Sequence, residues 1–86
     1  MIDVFNRSTA PVIGIMLVPE TGGGPDEGQD LLGGASLPRD GHMVAALVRG
    51  AGCRFTAHVR HGDGVVDQEV AGIDLCRRRA ITVPAQ

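Results

Sequence analysis

The sequence predicts a small α+β domain, an antiparallel sheet built on a hairpin over residues 53–71 with one helix over about 41–50 packed on one face. Three observations support this fold class. The chain has 86 residues, the size of one domain with a thin core. Residues 53–71 alternate as strands do, around a glycine-rich turn. Residues 41–50 carry apolar side chains at helical spacing, and a helix over a sheet supplies the two layers that a domain needs.

Composition sets limits on the core and on the partners. Two Phe are the only aromatics, without Trp or Tyr, so the core must consist of modest aliphatic contacts, and self-association is one way to bury more surface. All eight basic residues are arginine, which indicates the coding bias of a GC-rich bacterial genome. The net charge of −2 gives no field that favours nucleic acid or an anionic membrane. With two cysteines and no signal peptide or spanning segment, we expect a soluble, reduced, cytoplasmic protein.

The first 18 residues contain one clear strand. Residues 1–10 mix apolar and polar types and are expected to form a short edge strand or a partly ordered lead-in. Residues 11–18 form a β-branched apolar run between Pro11 and Pro19, which predicts a strand covered on both faces. Gly14 within this run indicates a bulge or a close neighbour.

Residues 19–40 are rich in glycine and acidic side chains. We expect a flexible surface loop here, since a segment of this length without periodicity is typically either functional or mobile. Its second half contains three leucines that could anchor it to the body of the domain: Leu31, Leu32 and Leu37.

The helix is predicted from its cap and its stripe. Asp40 can cap it, and either Gly50 or Gly52 can end it. The stripe at i, i+3, i+4 and i+7 consists of Val44, Leu47, Val48 and Ala51. A buried strand is the competing interpretation, because residues 43–48 are apolar throughout.

The alternation predicts one apolar face for the hairpin and leaves two strand registers possible. Cys53, Phe55, Ala57 and Val59 fall on one side of the first strand, which predicts that the odd-numbered face is core. The loop is either Gly62-Asp63 or Asp63-Gly64. The first choice sets His58 opposite Asp67, Val59 opposite Val66 and Phe55 opposite Val70; the second sets His58 opposite Glu69, Arg60 opposite Asp67 and Ala57 opposite Val70. Beyond the hairpin, residues 73–83 are ambiguous, and Ile81 and Val83 alternate as a terminal strand.

Four potential metal ligands occur near the hairpin: Cys53, His58, His61 and Cys76. Their spacing matches no zinc pattern. Along a strand, Cys53 and His61 would lie roughly 26 Å apart, and His58 and His61 would point to opposite faces. We therefore predict no metal and no cofactor, and we expect both cysteines to act as small buried hydrophobes.

Two surface groups remain as candidate sites. The charged hairpin face offers His58, Arg60, Asp67 and Glu69 as ligand-binding residues. Arg77, Arg78 and Arg79 form a basic cluster that could contact nucleic acid, although the chain is net acidic and nucleic acid is an unfavoured partner. No nucleophile, base and oxyanion donor converge in the sequence, so no catalytic residue is predicted and we expect a protein without enzymatic activity.

These observations favour a non-catalytic interaction or accessory module that binds a second copy of itself or another protein. One alternative is a small ligand-binding or enzymatic domain that uses loop 19–40 as a lid over the His58 face. Another is a nucleic-acid-binding accessory that uses residues 77–79.

Overall fold

A computed structural model describes residues 1–20, 28–46, 53–62 and 67–84. Within these ranges the chain forms β-strands and no helix, and therefore no helix that could cross a membrane. The strands are β1 (Ile2–Asn6), β2 (Val12–Pro19), β3 (Gln29–Asp30), β4 (His42–Ala45), β5 (Arg54–His61), β6 (Gln68–Asp74) and β7 (Ala80–Val83).

The strands form two sheets. The smaller has the order β4-β1-β7, in which β1 pairs antiparallel with β4 and parallel with β7. The larger has the order β3-β2-β5-β6 and is antiparallel throughout. The expected edge strand or lead-in at residues 1–10 is thus a central strand. The terminal strand predicted from Ile81 and Val83 is confirmed as β7.

One hydrophobic core joins the two sheets. The smaller sheet contributes Ile2, Val4, Ala45, Ile81 and Val83, and the larger contributes Val12, Ile15, Leu17, Phe55, Ala57 and Val59. Because each sheet turns its alternate side chains toward the other, the two layers of the domain are both sheets, as in a β-sandwich.

The α+β prediction is wrong because the second layer is a sheet. The helix predicted over 41–50 is absent from residues 41–46, the part of that range that the structure describes. Residues 42–45 form β4 instead, and residues 47–50 lie outside the described residues. Asp40 has a φ of 59°, in the left-handed region, whereas a helix N-cap takes extended dihedrals. His42 then stacks on Phe5 across the β1–β4 pair, with ring centroids 4.6 Å apart. Cross-strand packing has overridden the helical spacing.

Strand β2 is covered on one face rather than on both. Ile15 and Leu17 are buried, whereas Ile13 and Met16 are 43% and 39% exposed. The bulge predicted from Gly14 is confirmed, since the pairing with β5 shifts register between Val12 and Gly14.

The second half of segment 19–40 packs onto the body of the molecule. Leu31, Leu32 and Leu37 are buried, as expected of anchors, and Leu37 exchanges backbone hydrogen bonds with Val12. Residues 21–27 lie outside the described residues, and the flexibility of the segment remains a prediction.

Asn6 connects β1 to two neighbouring segments. It is 1% exposed, and its side-chain amide donates to the carbonyls of Ala10, Leu37 and Pro38 at 3.0–3.1 Å. Its Oδ1 accepts hydrogen bonds from the backbone and hydroxyl of Ser8. A buried amide with both ends satisfied determines how these segments pack against β1.

The hairpin is formed by β5 and β6, and its predicted core face is confirmed by the burial of Phe55, Ala57 and Val59. Its register is that of the Asp63-Gly64 alternative, with Ala57 opposite Val70 and His58 opposite Glu69. The loop residues 63–66 lie outside the described residues. The register then shifts between Phe55 and Ala57, near Gly72 with its φ of 71°, which forms a bulge in β6.

Candidate functional site

The outward face of the larger sheet carries the side chains of the site. We call it the β2–β5 face, after its two central strands. Register places Asp30, Met16, His58 and Glu69 in one row across all four strands. Since these positions alternate with the buried ones, the same pattern that builds the core turns this row toward solvent.

Charge on the β2–β5 face is arranged by strand. The central strand β5 presents three basic or titratable side chains, Arg54, His58 and Arg60, and all are exposed. Carboxylates flank them: His58 Nδ1 lies 3.6 Å from Glu69 Oε2, and Arg54 Nε lies 3.9 Å from Glu20 Oε2. An exposed ion pair such as Arg54–Glu20 contributes roughly 0–1 kcal/mol, so these contacts define a charge pattern more than they stabilise the fold.

A shallow depression of about 180 Å³ lies within this face. Its lining comprises Ile13, Gly14, Ile15, Met16, Asp30, His58 and Arg60. The β2 bulge lies at its base, where Gly14 sits opposite Arg60 without a side chain of its own. Metabolite pockets typically enclose about 300–1,000 Å³, so the depression matches one inserted side chain or a small ion.

The four predicted ligand-binding residues do not form one group. His58 and Arg60 line the depression, and Glu69 joins through its contact with His58. Asp67 lies at the end of the hairpin, where its Oδ1 accepts a hydrogen bond of 3.4 Å from the backbone of His61.

His61 occupies the opposite face from His58. It is buried, and its Nε2 lies 2.6 Å from Gln68 Oε1, whereas its Nδ1 lacks a hydrogen-bond partner among the described residues. The expectation that the two histidines point to opposite faces is confirmed.

The cysteines form a disulfide between residues 53 and 76. The prediction that they act as small buried hydrophobes is therefore wrong, and Cys76 is exposed. The bond joins the start of β5 to the turn after β6. Asp74 lies beside it, and its Oδ1 accepts hydrogen bonds from the backbone of Cys76 and Arg77.

The hairpin register carries a signal for this disulfide. If the register with His58 opposite Glu69 is continued along both strands, Cys53 comes to lie opposite Asp74. The bulge in β6 adds one residue, so that the residue opposite Cys53 is Leu75. Cys76 is the next residue. A count of the cysteines does not reveal this pairing, whereas the hairpin register extended to Cys53 does.

The basic cluster lies on the connection from β6 to β7. Arg77, Arg78 and Arg79 are all exposed, and the backbone of Arg78 donates to the carbonyl of Asp74 at 3.2 Å. The cluster is separate from the depression, whose lining includes none of the three.

No protein-family model matches the chain, and neither a curated protein nor a solved structure shows significant similarity to it.

Proposed function

We propose that this protein is a non-catalytic interaction module that binds a second copy of itself through the β2–β5 face. The observation that carries the proposal is the exposure of Ile13 and Met16 on β2, a central strand of a sheet whose outward face also carries both signs of charge. Exposed apolar side chains grouped on one face are typical of interaction surfaces.

Charge supports a copy of the same chain as the partner. Basic side chains lie along the central strand β5, and carboxylates lie on the outer strands at Asp30 and Glu69. Two such faces can meet about a two-fold axis that runs parallel to the strands, with a lateral offset of one strand. The basic strand β5 of each copy then faces the acidic strand β3 of the other. The face is thus self-complementary, as an isologous dimer interface requires.

Light scattering over a concentration series tests the proposal. We expect a dimer in the wild type and at least about tenfold weaker dimerisation for Met16→Glu, because the substitution places a carboxylate at the apolar centre of the interface. Val44→Glu is the matched control, since Val44 is 49% exposed but lies on the smaller sheet. A wild type that stays monomeric at high concentration contradicts the proposal, as does equal weakening by both variants.

A ligand-binding function is the second candidate, and the depression favours it. Asp30 reaches its rim from β3, across β2 from His58 and Arg60, and the segment proposed as a lid extends the sheet at that point. Two basic side chains beside an open concavity suit a small carboxylate or phosphate. NMR titration with inorganic phosphate should shift the amides around Gly14 and Arg60 in the wild type but not in Arg60→Ala. Unchanged spectra would exclude this candidate for phosphate.

The cytoplasmic location remains a proposal, and the disulfide supports the alternative of an oxidising compartment. Stable disulfides are rare where thioredoxin and glutathione keep thiols reduced. Alkylation of free thiols in intact cells, followed by mass spectrometry, distinguishes the two: a cytoplasmic protein should carry two labels and an exported one none.

A further inference from the structure

We propose that reduction of the disulfide converts Cys53 and Cys76, together with Asp74, into a binding site for a divalent metal of the zinc type. The two sulfurs and a carboxylate oxygen of Asp74 all lie within 4.8 Å of one another. The histidines of the hairpin do not belong to this group, since His58 and His61 lie further along β5 on opposite faces.

The cysteines are held together by contacts that do not depend on the S–S bond. The Leu75 backbone donates to the carbonyl of Cys53 at 2.9 Å, and the side chain of Leu75 is buried in the core. Arg54 pairs with Asp74 in the sheet, and the carboxylate of Asp74 holds the turn through the backbone of Cys76. Reduction therefore leaves both thiols at the same end of the hairpin.

The spacing suits zinc. The Cα atoms of the two cysteines are 5.1 Å apart. With Zn–S bonds of about 2.3 Å and tetrahedral angles, two sulfurs lie about 3.8 Å apart. Rotation of the cysteine side chains can open this gap while the backbone stays in place. Thiolate and carboxylate are both zinc ligands, and the exposure of Cys76 leaves the fourth position to water.

The oxidised and metal-bound forms exclude each other. A dithiol reductant breaks the S–S bond, supplies two electrons and two protons to the cysteine sulfurs, and leaves as its own cyclic disulfide. The metal then displaces one proton from each thiol, and both protons pass to the buffer. In the disulfide form neither sulfur is a thiolate, so that form lacks the two sulfur ligands.

Zinc titration of the full chain in both redox states tests the proposal. The reduced sample is prepared with a phosphine reductant, which is removed under inert gas, and Zn²⁺ is titrated against a chromogenic chelator while far-UV circular dichroism follows the strands. We expect the reduced chain to bind one equivalent of zinc and the oxidised chain to bind none. Asp74→Asn should weaken binding at least about tenfold, although the asparagine oxygen can still accept the backbone hydrogen bonds of the turn.

The control variant is Asp40→Asn, which removes an exposed carboxylate from the turn before β4 and should leave zinc affinity unchanged. The proposal is overturned if the folded, reduced chain binds no zinc or if Asp74→Asn binds as tightly as the wild type. It is also overturned if the strand signal is lost on reduction alone, since the cysteines would then not be held together by the remaining contacts.

Discussion

Removal of the disulfide should destabilise the fold by an amount that follows from its loop. Cys53 and Cys76 are separated by 23 residues in sequence. The chain-entropy relation gives about 3.4 kcal/mol for a loop of this length at 25 °C. For a domain of this size, that loss corresponds to a fall in Tm on the order of 14–27 °C. We expect the double variant Cys53→Ala/Cys76→Ala to lose this stability while it keeps the strand content of the wild type.

Urea unfolding followed by far-UV circular dichroism measures the effect, because the chain has no Trp or Tyr to report by fluorescence. Reductant should lower the midpoint of the wild type to nearly that of the variant and should leave the variant unchanged. A loss below about 1 kcal/mol would refute the argument that loop closure dominates. Two free thiols found in denatured, unreduced protein would refute the bond itself.

Three further experiments with substituted chains test the packing and the basic cluster. Asn6→Ala should lower the free energy of unfolding in urea by about 2–4 kcal/mol, because it leaves buried carbonyls that the amide now satisfies without a hydrogen-bond partner. A loss below about 1 kcal/mol contradicts that role. Gly72→Ala should lower the free energy of unfolding by about 1–2 kcal/mol, because alanine disfavours the left-handed region. Gly14→Ala should be tolerated, since the added Cβ meets its nearest atoms at 3.9 Å. A larger loss for Gly14→Ala than for Gly72→Ala would refute the role given to backbone conformation at Gly72. Replacing residues 77–79 by alanine should leave salt-dependent retention on immobilised nucleic acid unchanged, and a clear loss of retention would favour the nucleic-acid alternative.

The parts of the fold that sequence predicted are those governed by alternation within one strand. In β5 the odd residues Phe55, Ala57 and Val59 are apolar, so the core face followed from period two alone. The same reasoning failed around β4, because Val44 belongs to a set of four apolar positions with helical spacing, the other three of which lie outside the described residues. The difference there comes from Phe5, which lies 37 residues from His42 in sequence and packs against it in space. Long-range pairing of this kind leaves no mark in a local pattern.

The candidate site was predictable only as far as the hairpin extends. His58 and Glu69 were placed together by one of the two open registers. Asp30 could not be added to their row, because its position depends on β3 returning along β2 after a long connection. The depression likewise depends on the β2 bulge, which Gly14 indicated without saying which side chains would line it.

The edge strands of both sheets favour association of two copies through a sheet face rather than through an edge. Exposed edges pair with other chains when they are long and regular, and proteins prevent this with short, bulged or charged edge strands. Here β3 has two residues, and β4 and β7 have four each. The longest edge strand, β6, carries the bulge at Gly72 and the acidic Glu69 and Asp74. With edge-to-edge pairing disfavoured in each described sheet, the apolar and charged groups of the β2–β5 face are the stronger basis for a second copy to bind.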